Sequence, residues 1–192
     1  MRYYYDCEFI EDGHTIDLIS IGMVAEDGRE YYAVASDAPW DRIKEHDWLV
    51  RNVLPSLPLT GKTSLDSYLK NHPNSFPRPG LTFVDPDLTD SRVKPRQVIA
   101  NEVRDFILAT PEPSLWAWYG AYDHVVLCQL WGCMIDLPEG VPMWTNDLKQ
   151  EAERLGNPRV PEQAAGEHNA LADARHNRAI ARFLATLTAG AQ

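Results

Sequence analysis

Asp6-Cys7-Glu8 is the first place in the chain where residue types and spacing suggest chemistry. Side chains alternate along a strand, so Asp6 and Glu8 project from one face and Cys7 from the other. Two carboxylates so placed form a chelating pair for a hard cation such as Mg²⁺, which takes carboxylates, waters and phosphate oxygens. A solvated acidic face gives the same pattern, but Tyr3, Tyr5, Phe9 and Ile10 mark this strand as buried, and an unpaired charge there is costly. A third acid, Asp123, follows Tyr122 after SLWAWY, where a strand passes into a helix. It could cap that helix or add a carboxylate at the end of a strand where α/β folds place ligands. The third cluster is His168-x4-Asp173, with Asn169 able to cap the helix that carries Asp173. Read singly, His168 is a polar residue beside a helix start and Asp173 a partner for the helix dipole.

These groups need elements to hold them. Residues 3–10, 16–25 and 30–35 read as strands, with Asp27-Gly28 as a hairpin turn, giving an antiparallel meander. Residues 39–54 follow a helical pattern. Residues 55–95 contain half of the fourteen prolines, including HPNSFPRPG, and read as an irregular insertion with a helical turn near 64–70. Residues 95–109 form an amphipathic helix with Val98, Val103, Phe106 and Ile107 on one side, and 114–119 a buried strand. Helices follow at 122–131, at 146–155 up to Gly156, and at 169–187. Strands mixed with helices imply an α/β sandwich with a mixed sheet, in a single domain over 1–192.

Composition sets the outer limits. With 44% hydrophobic and 24% charged residues the chain is an ordinary globular protein. No 18-residue apolar run or signal-peptide pattern occurs, so no membrane association is expected. Three cysteines without a CxxC pair fit a reducing cytoplasm. A net charge of −10 disfavours a protein that coats nucleic acid, yet allows an enzyme that grips a strand end, because bound cations supply local positive charge. Cys128 and Cys133 match no redox motif, the tryptophans mostly fall on core positions, and Arg175, Arg178 and Arg182 read as a salt-bridged face of the last helix.

Taken in order, the acidic pair, the Tyr-Asp after a strand and His-x4-Asp resemble the three motifs of the DEDDh 3′→5′ exonucleases, from residue 3 to about 187. YYYDCEF, WAWYGAYD and EHNALADARHN are similar to the actinobacterial polyadenylate-specific 3′-exoribonucleases, relatives of ribonuclease T. The resemblance implies a ribonuclease H-like fold and two Mg²⁺ ions, for which Mn²⁺ can substitute. Asp6 would bridge the ions, Glu8 and Asp173 would complete the first shell, and Asp123 would act at the second, directly or through water. His168 would be the general base, a role suited to imidazole, whose ordinary pKa of about 6.5 lies near working pH. The implied substrate is the 3′ end of single-stranded RNA or an overhang, and a homodimer is expected by analogy. Phe9 and Ile10 stand where the first motif often has Thr, and Tyr119 where the second usually has Asn. Phe9 and Ile10 are therefore candidate nucleotide contacts. A DNA exonuclease of the same class and a catalytically silent nucleic-acid-binding domain are the competing readings.

Overall fold

The computed structural model describes residues 1–72 and 81–189. The aromatic-rich N-terminus forms β1 (Arg2–Glu11), which pairs antiparallel with β2 (Ile16–Ala25). β2 in turn pairs antiparallel with β3 (Glu30–Ala35), so the expected meander is present. Among the described residues the main sheet has six strands, and with β6 (Val93–Lys94), β7 (Ser114–Ala117) and β8 (Thr145–Asp147) their order is β6-β3-β2-β1-β7-β8. β7 runs parallel to β1, and β8 parallel to β7. The sheet is mixed, as the sequence implies, with β1 inside it.

Alternation on β1 divides its side chains between two cores. Tyr3, Tyr5 and Cys7 enter the larger one, against helices α4 (Arg96–Leu108) and α5 (Ala121–Cys128). Tyr4 enters a smaller cluster with Leu148 of α6 (Leu148–Arg154) and Ile180 and Leu184 of α7 (Ala170–Ala189). Helices thus cover both faces. The strand order is irregular at one point: Glu8 pairs with Ser20 and Phe9 with Leu18, leaving Ile19 as an extra residue on β2. Such a bulge breaks strict alternation. Ile10, just past the irregularity, is 4% exposed and packs in the larger core.

Other departures have local causes. The helical stretch at 39–54 is two helices, α1 (Trp40–Glu45) and α2 (Asp47–Asn52). His46 between them is extended, and its Nδ1 accepts the amide of Leu49 as a cap for α2. The segment 55–95 is more ordered than its prolines suggest. It holds α3 (Lys62–Asn71), the short pair β4 (Leu59–Thr60) and β5 (Asp85–Pro86), and β6 (Val93–Lys94) at the sheet edge. Leu57, Leu65, Leu81 and Val84 anchor it to the core, while 73–80, most of HPNSFPRPG, lies outside the described residues. On α4 the buried stripe is Ile99, Ala100, Val103 and Ile107, whereas Val98 is exposed.

The placement of α7 rests on a glycine. Gly22 on β2 stands opposite Asp6 on β1. A Cβ at Gly22 would lie 2.3 Å from the backbone of Ala170 and Leu171. The helix start can therefore reach the sheet only where β2 has no side chain. Gly22→Ala forces α7 away from the sheet, an overpacking fault of about 1–3 kcal/mol or more. It should lower the melting temperature by roughly 3–10 °C, and activity should fall with it. A scanning-calorimetry trace matching the wild type would show that this contact is dispensable.

Candidate active site

Asp6 and Glu8 lie on the face of β1 that α7 covers. Asn169 starts α7, its Oδ1 accepting the amide of Ala172 at 3.1 Å. That cap leaves Asp173 on the first turn, above the strand. Ligand oxygens of Asp6, Glu8 and Asp173 all lie within 4.8 Å of one another. Asp123 reaches the same cavity from α5. Its carboxylate is not spent on capping its own helix alone, for Oδ1 accepts the amide of Cys7 at 2.8 Å.

That bond reflects how the cleft opens. β1 pairs with β7 only from Arg2 to Tyr4. Beyond Tyr4 the two strands part, and side chains satisfy the exposed edge of β1. Asp123 takes the Cys7 N–H, and the buried Asn177 amide of α7 donates to the Tyr5 carbonyl at 3.0 Å. The wedge between the strands is a cavity of about 480 Å³ floored by the acids.

His168 lines this cavity from the turn before α7, in the left-handed region at φ 61°. Two groups from the α2 region hold it. The Trp48 ring meets the imidazole edge-on at 4.7 Å, and the Ser56 hydroxyl lies 2.9 Å from the His168 carbonyl. All five residues picked out by spacing therefore share one cavity. Phe9 lines it too, its ring parallel to that of Tyr122 at 6.0 Å, whereas Ile10 is buried in the core and does not.

Several lining groups carry no sequence signal of this kind. Gln163 donates to Asp173 Oδ1 at 2.7 Å from a loop without periodicity. Trp48, Trp118, Tyr119 and Tyr122 complete the walls, so two of the tryptophans assigned to core positions face the cleft. Tyr119, at φ 55°, sits in the tight turn where β7 ends and the chain enters α5, a position its neighbour Gly120 could have flagged. Elsewhere Arg175 pairs with Glu30 at 2.5 Å and Arg178 donates to the Glu26 carbonyl, as a solvated, bonded helix face should. Cys128 is buried on α5, while Cys133 lies beyond it and is exposed.

The electrostatics of the cluster are unfavourable without a partner. Burial, then the charges of Asp123, Glu8 and Asp173, push the Asp6 carboxyl well above the usual range. Burial and the charges of Asp173 and Asp123 raise Glu8 to about 8. Burial raises Asp123 to about 7 against the pull of the Cys7 amide. Burial also raises Asp173, opposed by Gln163. Among the described residues no Lys or Arg offsets any of the four. An all-oxygen donor set of converging, uncompensated carboxylates fits a hard divalent cation.

Known proteins with similar sequences are 3′-5′ exoribonucleases. The family model for the 3′-5′ exoribonuclease Rv2179c-like domain matches residues 83–185. Two relatives from Mycobacterium tuberculosis are the 3′-5′ exoribonuclease Rv2179c of strain ATCC 25618 / H37Rv and the 3′-5′ exoribonuclease MT2234.1 of strain CDC 1551 / Oshkosh. Each is 44% identical over 177 residues, covering 91% of this chain and 88% of the relative.

The raised carboxyl values fix a sign for pH dependence. Glu8 and Asp123 hold protons in the folded chain that the unfolded chain releases in the ordinary carboxylate range. Their contribution to stability is complete below that range and is lost as pH rises toward about 7–8. Melting temperature in EDTA should therefore fall between pH 5 and pH 8. Asp6→Asn or Asp173→Asn should raise it by a few degrees at pH 8, because like charges are removed. Mg²⁺ should raise the wild-type value and leave little gain for either variant. Differential scanning fluorimetry across this pH range checks all three, and a melting temperature in EDTA that rises with pH would contradict the assigned sign.

Proposed function

The chain belongs to the Rv2179c-like 3′-5′ exoribonuclease domain family, and from that premise we propose that it acts as a 3′-5′ exoribonuclease through a DEDDh centre of Asp6, Glu8, Asp123, His168 and Asp173. The observation that carries this reading is the convergence of three carboxylates from β1 and α7 with His168 on the wall of the same cavity. A ribonuclease H-like classification is part of the proposal, supported by the mixed sheet with helices on both faces. A catalytically silent domain would have no use for four acids gathered beside one imidazole with no Lys or Arg among the described residues to offset them.

Each group has a task. Asp6, Glu8 and Asp173 would hold one divalent cation, Mg²⁺ or Mn²⁺, between their oxygens. Asp123 has Oδ1 engaged by the Cys7 amide, so it offers its other oxygen to a second cation, directly or through water. When bound, two such ions neutralise the clustered acids and stabilise charge on the scissile phosphate. His168 takes a proton from the attacking water as its oxygen bonds to phosphorus. The bond from phosphorus to the 3′ oxygen of the preceding nucleotide then breaks, and that oxygen takes a proton from water to become the new 3′ hydroxyl. The products are a nucleoside 5′-monophosphate and a strand one residue shorter. Trp48 limits the rotation of the imidazole, which keeps the base over the cleft floor.

Asp6→Asn and Asp173→Asn should abolish turnover and leave the far-ultraviolet circular dichroism unchanged. His168→Ala should slow hydrolysis by about 10²–10⁴-fold while retaining the Mg²⁺-induced rise in melting temperature. Loss of that rise would reassign His168 to the cation shell. Three 5′-labelled RNAs test polarity: a linear oligomer, a hairpin with a 3′ tail and a circle. The first should give a descending ladder, the second a ladder that stops near the stem, where unpairing is costly, and the circle should survive. Cutting of the circle would mean an endonuclease and end the proposal.

A further inference from the structure

Asp123 stands on the first turn of α5, just past the sharp turn that leaves β7. That turn needs holding. Tyr119 sits in the left-handed region at φ 55°, a conformation that a bulky residue keeps only where its surroundings fix it. Two residues of the edge strand β8 do the fixing. Asp147, the last of that strand, accepts the amide of Gly120 on Oδ2 at 3.1 Å. Its Oδ1 accepts the amides of Lys149 and Gln150, at 2.7 and 3.4 Å, as the cap of α6. Both carboxylate oxygens are thus engaged, one on each helix start.

Thr145 grips the other side of Asp123. Its Oγ1 lies 3.0 Å from Nδ1 of His124 and is bonded to the Tyr5 hydroxyl. Nε2 of His124 lies 2.9 Å from the Met143 carbonyl, which can only accept, so Nε2 carries a proton. In the neutral ring, which burial favours, Nδ1 then accepts from Thr145, and Thr145 accepts from Tyr5. One backbone carbonyl sets the direction of the whole chain of bonds. The turn is also seated closely: a Cβ at Gly120 would stand 2.8 Å from Ala117 Cβ and 3.0 Å from Thr145 Cγ2.

We propose that Asp147, seconded by Thr145, is the positioning residue for Asp123, fastening the start of α5 so that its carboxylate meets the cleft floor. The consequence for turnover rests on the exoribonuclease reading. An asparagine would not serve at 147. Asn caps a helix as well as Asp does, but it has a single acceptor oxygen, and the NH₂ replacing the other would face the Gly120 N–H. Charge alone predicts the opposite effect. The Asp147 carboxylate opposes ionisation of Asp123, so neutralising it would tighten cation binding if position did not matter.

The test compares the full wild-type chain with Asp147→Asn. Asp123 Oδ1 accepts the Cys7 amide at 2.8 Å, so hydrogen exchange at that amide in metal-free protein reports the place of Asp123 without any turnover. In Asp147→Asn the Cys7 amide should exchange about 10-fold faster, and the Mg²⁺ concentration for half-maximal hydrolysis of a linear RNA should rise about 10-fold, as for other outer partners of metal ligands. Thr145→Val keeps the shape and loses the hydroxyl. It should move both readings in the same direction, and it replaces Asp147→Asn should that variant not fold. Ile43→Val, in the larger core on α1, costs a little stability and should leave both readings at their wild-type values. A wild-type exchange rate at Cys7, an unchanged or lower Mg²⁺ requirement, or the same changes in Ile43→Val would each overturn the proposal. A wild-type chain inactive on RNA is a different result: it ends the exoribonuclease reading, and exchange at Cys7 still decides the role of Asp147.

Discussion

The bare backbone of Gly22 against the start of α7 sets the distance on which this active site depends. Asp6 is the residue paired with Gly22 across the strands, and Asp173 lies one helical turn past the contact at Ala170 and Leu171. Moving the helix outward by the width of a methyl group would open the carboxylate cluster before it disturbed any strand. The rest of α7 follows from that seat: Asn177 reaches the Tyr5 carbonyl and Ile180 and Leu184 close the smaller core. A stability contact and the spacing of the proposed catalytic carboxylates are here one and the same feature.

Holding four acids together requires compensation from within the fold. The amide of Cys7 stabilises charge on Asp123, and the amide of Gln163 does so for Asp173. Asp123 and Asp173 also occupy first helical turns, where the helix dipole favours a negative charge. Asp6 and Glu8, on the strand, have no such helix end, and they are among the carboxyls whose ionisation burial opposes. The fold therefore supports the two helix-borne acids itself and gives the strand-borne pair no such partner, which is where the proposed cations would act.

Four of the five central residues follow rules that act locally, whereas His168 stood out only through its spacing to Asp173 and the family resemblance. Asp6 and Glu8 obey strand alternation, Asp123 follows a strand, and Asn169 announces the helix that carries Asp173. Ile10 became a candidate contact through its place in the family motif, and the structure buries it at 4% exposure, as its apolar character in a buried strand already suggested. The break at His46 was hidden because residues on both sides keep a helical period, and the break is made by a ring nitrogen capping α2. β6 and β8, two and three residues long, are strands only because a partner is already there. Trp48 and Gln163 reach the site from loops and helices far along the chain, and such meetings are decided by packing that no window of sequence contains.

The parting of β1 from β7 after Tyr4 separates the floor of the cleft from its walls. The floor of the cleft is made by the divergence of two neighbouring strands, a property of sheet twist that surface insertions leave alone. Its walls come from α2, from the turn after β7 and from the approach to α7, which are connections free to lengthen or change composition. Changes of length or composition in those connections would redraw the rim of the cleft and leave its acidic floor in place.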